Sequence, residues 1–124
     1  MIRLTYLLRR KPDLSLKDFQ AYWREKHGPL VARHSTALNI LRYVQVHRFE
    51  DELETALREA RGTTEASFTG HAELWLDRLG MMAGAGMPER LKGNEIAAAD
   101  ESKFIDFSRS AMWLAKEHVF IDRR

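Results

Sequence analysis

Cysteine is absent from all 124 residues, which excludes disulfides, thiolate nucleophiles and cysteine-ligated zinc or iron–sulfur centres. Any chemistry must come from imidazole, carboxylate, hydroxyl or amine groups, or from a non-protein cofactor. Long apolar runs are missing too: nothing approaches the roughly 18 residues of a membrane span, and Met1 to Lys11 is too short and too strand-like for a secretory leader. The expectation is a soluble cytoplasmic protein with no membrane partner. Charge of one sign is not in excess, with 20 Lys plus Arg against 18 Asp plus Glu and a net charge of +2. The short clusters Arg9-Arg10-Lys11 and Arg123-Arg124 read as solvated strand ends rather than a stripe that follows a phosphate backbone, so no nucleic-acid partner is expected.

What is present fits one domain over residues 1–124, a length that buries roughly two thirds of the unfolded surface. Alternation over Ile2 to Leu8 predicts a strand, broken at Pro12-Asp13. Ser15 with Asp18 three residues on resembles a capping box and starts a helix that runs through Trp23 toward His27. Pro29 has no backbone N–H and disfavours helical geometry at Gly28, so the spacing predicts a kink, or a stop and restart, immediately after His27. A second strand is expected from about Ile40 to Phe49, and a short helix over Asp51 to Ala60 with Glu54 and Arg58 as a supporting pair. Residues 61–70 have the composition of a surface loop, either covering a pocket mouth or simply joining helix to strand. A third strand over His71 to about Arg78, a broken helical region around Met81 to Pro88, a helix over Ala97 to Phe107 and a last strand over Met112 to Ile121 complete the chain. The Ala83-Gly84-Ala85-Gly86 run lacks the following Gly-Lys-Ser/Thr of a phosphate cradle.

Two periodicities converge on titratable side chains. At helical spacing Phe19, Trp23, His27 and Leu30 share a face, and at strand spacing Tyr43, Gln45, His47 and Phe49 do. An otherwise apolar interior thus receives an imidazole, a phenol and an amide, which need partners or a ligand. His27 is the first candidate for proton transfer; desolvation lowers its pKa while a helix C-terminal end raises it. The alternative is that it bonds a backbone carbonyl at the kink. Tyr43 and His47 form a second pair, imidazole as base for a carbon acid and phenol stabilising the enolate oxygen, or else Tyr43 and Gln45 complete the core with His47 at its rim. Tyr22 points off the main apolar face. His71 and Glu73 share a strand face, and His27 or His47 would make a two-histidine, one-carboxylate set, but no spacing enforces it and no metal site is assigned. Glu117 and His118, adjacent on a strand, face opposite sides.

The aromatic pair in a helix, then His27-Gly28-Pro29-Leu30, then Arg42-Tyr43-Val44-Gln45-Val46-His47, is similar to the EthD-type branch of the dimeric α+β barrels. The resemblance extends to Ile2–Leu8, to Ala72-Glu73-Leu74-Trp75-Leu76-Asp77, to Asp100-Glu101-Ser102-Lys103-Phe104 and to Glu117-His118-Val119-Phe120. The predicted element order, β-α-β-β-α-β, is that of an α+β, ferredoxin-like four-stranded antiparallel sheet with helices on one face. One helix layer leaves the other face bare, and Tyr43, Gln45 and Phe49 are assigned to it, so a second sheet must cover it. The resemblance implies the same solution: a homodimer closing into an α+β barrel with a pocket for a small hydrophobic or aromatic ligand near each sheet.

Two functional classes follow. One is a cofactor-free enzyme of degradative or biosynthetic metabolism, an isomerase, cyclase, lyase or oxygenase, with His27, Tyr43 and His47 as catalytic residues. Phe19, Tyr22, Trp23, Gln45, Glu73 and Trp75 would then bind the substrate. The other is a non-catalytic small-molecule-binding accessory protein of an oxidative degradation pathway. The resemblance favours the first, because EthD-type relatives include lyases, cyclases and cofactor-free oxygenases.

Overall fold

The computed structural model describes residues 2–77 and 87–124. Strands β1 (Ile2–Leu8), β2 (Ile40–His47), β3 (Gly70–Leu76) and β4 (Ala111–Ala115) form one antiparallel sheet in the order β2-β3-β1-β4. The helical segments are α1 (Leu16–Tyr22), a π-type turn (Trp23–His27), α2 (Gly28–Arg33), α3 (Glu52–Arg61), α4 (Met87–Glu101) and a 3₁₀ turn (Phe107–Arg109). This is the expected α+β, ferredoxin-like arrangement. Most of the expected broken helical region, Met81 to Gly86, lies outside the described residues, as does the end of the third strand at Arg78.

Alternation divides the sheet into two unlike faces. Leu8 and Ala72, with Tyr6 and Leu74 beside them, turn toward the helices and pack with Phe19, Trp23, Phe104 and Ile105. Phe104 is the hub of this core, its ring 5.2 Å from Phe19, 5.1 Å from Tyr22 and 5.2 Å from His27. Gly70 makes room for the stack above it, since a Cβ there would lie 2.6 Å from the Val46 carbonyl and 2.8 Å from the Trp23 ring.

The kink expected after His27 is instead a widened turn before it. Ser15 caps α1 through the Asp18 N–H, and helical geometry continues through Gly28, whose N–H reaches back five residues to the Trp23 carbonyl. A regular α-helix would require an N–H at position 29 for the Glu25 carbonyl and would drive the proline ring into it. One extra residue in the turn relieves both problems. It also keeps His27 beneath Trp23, whereas each four-residue step of a regular helix drifts by about 40°.

Several boundaries differ from expectation. β2 ends at His47, so Phe49 lies beyond the strand and is 75% exposed. Tyr43, Gln45 and His47 belong to the helix-covered face, because Tyr43 pairs with Leu74 and Gln45 with Ala72. The bare face carries Arg3, Val44, Val46, Glu73, Trp75 and Trp113 instead. Alternation fixes which residues share a face, and the helices cover the face of Tyr43, Gln45 and His47 rather than the other. Helicity expected over Ala97 to Phe107 spans Met87–Glu101, and the strand expected to reach Ile121 stops at Ala115. Glu54 pairs with Arg48 at 2.8 Å rather than with Arg58, which holds Ser67 and the Glu65 carbonyl. Together with the Arg9 bond to the Ala66 carbonyl, 2.9 Å, this pins the 61–70 segment as a connector.

Truncating the hub is the direct test of this packing. Phe104→Ala should cost about 3–5 kcal/mol, read as a lowered urea midpoint with an unchanged slope. A loss below about 1 kcal/mol would show that the three rings do not depend on it.

Candidate functional site

His27 closes the π turn and is 4% exposed. Its Nδ1 lies 2.8 Å from Asp100 Oδ2, the penultimate residue of α4. The other oxygen of that carboxylate accepts from the Tyr22 hydroxyl at 2.6 Å and lies 3.3 Å from Lys103 Nζ. Burial would raise the Asp100 pKa, but the bonds from Tyr22, His27 and Lys103 outweigh it and leave the carboxyl below its ordinary value. An ionised carboxylate can only accept, so Nδ1 carries the proton and Nε2 of the neutral ring presents its lone pair. Burial pushes the His27 pKa below its ordinary 6.5, with Asp100 opposing.

That lone pair faces Glu101, 3.9 Å away at Oε2. Burial, reinforced by the Asp100 charge, pushes Glu101 up from 4.5 to about 7, while a hydrogen bond with Tyr6 resists. The Tyr6 phenol is itself pushed up by burial and by Glu101. Adjacent residues of one helix end thus differ sharply, with an ionised Asp100 behind the imidazole and in front of it a Glu101 whose pKa is pushed up to about 7.

Both His27 and Glu101 line a cavity of about 250 Å³ between the sheet and α4. Its walls are mainly aliphatic, including Leu4, Val31, Leu74 and Leu76, and its polar groups are Tyr6, His27, Tyr43, Arg90, Asn94 and Glu101. A space of this size suits a substituted single ring, since a cavity of about 150 Å³ already holds benzene. Burial raises the Tyr43 pKa, against hydrogen bonds from Gln45 and Trp23.

The structure splits the residues singled out from sequence into three groups. His27, Trp23 and Tyr43 line the cavity. Phe19, Tyr22, Gln45 and His47 stand behind it: Phe19 is fully buried, Tyr22 holds Asp100, and His47 stacks on Trp23 at 4.3 Å and bonds to Gln45. The His47 pKa is lowered by burial and then by the Arg24 charge. Glu73 and Trp75 are on the bare face, where Arg3 pairs with Glu73 and the Arg3 and Arg42 guanidinium groups stack on Trp75 at 5.3 and 4.5 Å. Their expected place beside His27 is not met, because residues 73 and 75 alternate away from residues 72 and 74. For the same reason the His71–Glu73 pair, 3.3 Å apart, is separated by the sheet from His27 and His47. Among the described residues no group of three or more His, Asp or Glu side chains is placed to hold a metal.

Sequence reasoning passed over Tyr6, Asp100 and Glu101 as site residues. A lone phenol between Leu4 and Leu8 on an apolar strand face was one available signal. Two acids beside Phe104 at the end of a helix were another.

Comparison with known proteins gives one family and one fold. The sequence profile described as the EthD domain matches residues 11–108. A crystal structure of an ethyl tert-butyl ether D (EthD) family protein from Bacillus halodurans C-125 superposes with a TM-score of 0.59 at 13% identity, covering 95% of this chain and 99% of that one. No curated protein matches the sequence. No helix among the described residues is long and apolar enough to cross a membrane.

Glu101 sets a pH signature on stability. A carboxyl whose pKa is raised from 4.5 to about 7 on folding stabilises the native state fully below about pH 4.5, and that contribution is lost as pH rises through about 7. Glu101→Gln cannot ionise, so its stability relative to wild type should improve between about pH 4 and about pH 8 by on the order of 2–3 kcal/mol. Urea unfolding at the two pH values measures this, and a pH-independent difference would contradict the burial of an ionisable Glu101.

Proposed function

This chain belongs to the EthD domain family, whose profile spans residues 11–108, and on that premise we propose a cofactor-free acid–base enzyme acting on a small hydrophobic or aromatic molecule in the cytoplasm. The observation that carries the reading is the pairing of His27 Nε2 with Glu101 at 3.9 Å on the wall of an aliphatic cavity. Asp100 holds the ring in one tautomer and supports the imidazolium that forms when Nε2 takes a proton. The substrate is a carbon acid: Nε2 removes a proton beside a carbonyl, Tyr43 stabilises the enolate oxygen, and protonated Glu101 delivers a proton at a second position. The same first step opens isomerisation, cyclisation and dehydration, and oxygenation where dioxygen is co-substrate. His47 acts from behind Tyr43, through Gln45.

We propose in addition that the bare sheet face pairs with a second copy to form an α+β barrel. Support comes from Val46, Trp113 and Trp75 standing on a face that no helix among the described residues covers. Such interfaces bury roughly 2,000 Å² or more in total. Light scattering should give about twice the chain mass at micromolar concentration, and a stable monomer would rule the pairing out.

Proton abstraction is testable before the natural substrate is known. In D₂O the wild-type protein should exchange the α-protons of small cyclic ketones. His27→Gln, which retains a donor for Asp100, should lower the rate roughly 10²- to 10⁴-fold with little change in melting temperature. The rate should fall as pH drops below the His27 pKa, which lies under 6.5, and again as pH rises through about 7, where Glu101 loses its proton. Ketone binding without exchange would leave an accessory binding protein.

A further inference from the structure

One backbone carbonyl dictates the hydrogen-bond polarity of the cavity wall. Trp23 O can only accept, so the Gln45 side-chain atom 2.8 Å from it must be Nε2. The same nitrogen donates its second hydrogen to the Tyr43 hydroxyl oxygen at 3.0 Å. An oxygen that accepts from this amide has its own proton left for another direction, and Tyr43 lines the cavity. On the far side, Gln45 Oε1 lies 2.8 Å from His47 Nε2, so His47 must donate there. Reversing the amide would set an oxygen against the Trp23 carbonyl and is excluded electrostatically.

The backbone is shaped to admit this amide. Gly28 has ordinary helical angles (φ −54°, ψ −54°), so no left-handed conformation calls for glycine. A Cβ at Gly28 would instead stand 3.0 Å from Gln45 Nε2 and 3.4 Å from the Trp23 carbonyl oxygen. The missing side chain is what lets Gln45 reach the widened turn.

We propose that Gln45, locked by the Trp23 carbonyl and His47, is a positioning residue that commits the Tyr43 phenol to donate into the cavity, so that the ligand must place a hydrogen-bond acceptor, a carbonyl or enolate oxygen, beside Tyr43. This rests on the reading of the cavity as the substrate site and adds to it the residue that fixes the direction of the Tyr43 proton. Ligands presenting only a donor or a hydrocarbon at that position are disfavoured.

Cyclohexanone and its isostere methylenecyclohexane differ only in the acceptor and serve as probes, with binding followed by NMR titration. Wild-type protein should prefer the ketone roughly five- to tenfold, the yield of one neutral hydrogen bond. Tyr43→Phe should abolish the preference while keeping the ring. Gln45→Glu should abolish it with Tyr43 intact, because the new carboxylate draws the phenol proton to itself. A long-range ¹H–¹⁵N spectrum of the wild-type protein at about pH 8, where histidine is neutral, should place the His47 proton on Nε2. If Gln45→Glu does not fold, the Tyr43→Phe ratio and the His47 tautomer decide. Equal affinity for the two probes, no detectable ketone binding, or a His47 proton on Nδ1 would each overturn the proposal. Ketone preference without proton exchange sinks only the catalytic reading, and exchange without ketone preference sinks only this one.

Discussion

A missing hydrogen at Pro29 is the constraint from which the rest of the interior follows. Because position 29 cannot donate to the Glu25 carbonyl, the helix widens by a residue between Trp23 and His27. The widened turn sets His27 under Trp23, against Phe104 and Asp100. It also leaves the Trp23 carbonyl receiving both the Gly28 N–H and the Gln45 amide. Helix and strand are therefore tied at the point where the cavity begins, by a polar contact in an otherwise aromatic core. A buried amide of this kind is tolerated only because each of its groups is paired.

Electrostatics in the cavity depend on position within a few ångströms. Asp100 and Glu101 are neighbours in sequence and leave the same helix end. Asp100 turns toward three donors, and its charge is held in spite of burial. Glu101 turns toward aliphatic walls and the Tyr6 phenol, and the Asp100 charge behind it raises the cost of a second one. Two carboxyls pushed apart in this way are what acid–base chemistry at neutral pH requires. His27 sits between them, its two nitrogens facing an ionised and a protonatable carboxyl respectively.

Glycine serves the same interior by absence of volume rather than by unusual backbone angles. Gly28 admits the Gln45 amide and Gly70 admits the Trp23 ring. The bare face of the sheet is built on a different principle, with guanidinium groups stacked on Trp75 and paired to Glu73 and Glu117. Long arginine stems there cover apolar surface while keeping their charge hydrated.

Local periodicity by itself determined the four strands, the cap at Ser15 and the disturbance near Pro29. Those features depend on neighbours in the chain, and alternation or helical spacing reports them directly. The His27-Gly28-Pro29-Leu30 and Arg42 to His47 segments also carried the EthD likeness that the family profile bears out. Tertiary structure alone decided which sheet face each strand residue meets, since alternation groups residues by face without saying which face the helices cover. It alone brought Asp100 to His27 across 73 positions and Glu101 to Tyr6. It also turned Glu73 and Trp75 away from the cavity. Contacts of that separation are set by how the α4 end docks on the sheet, and no local pattern in the chain encodes that docking.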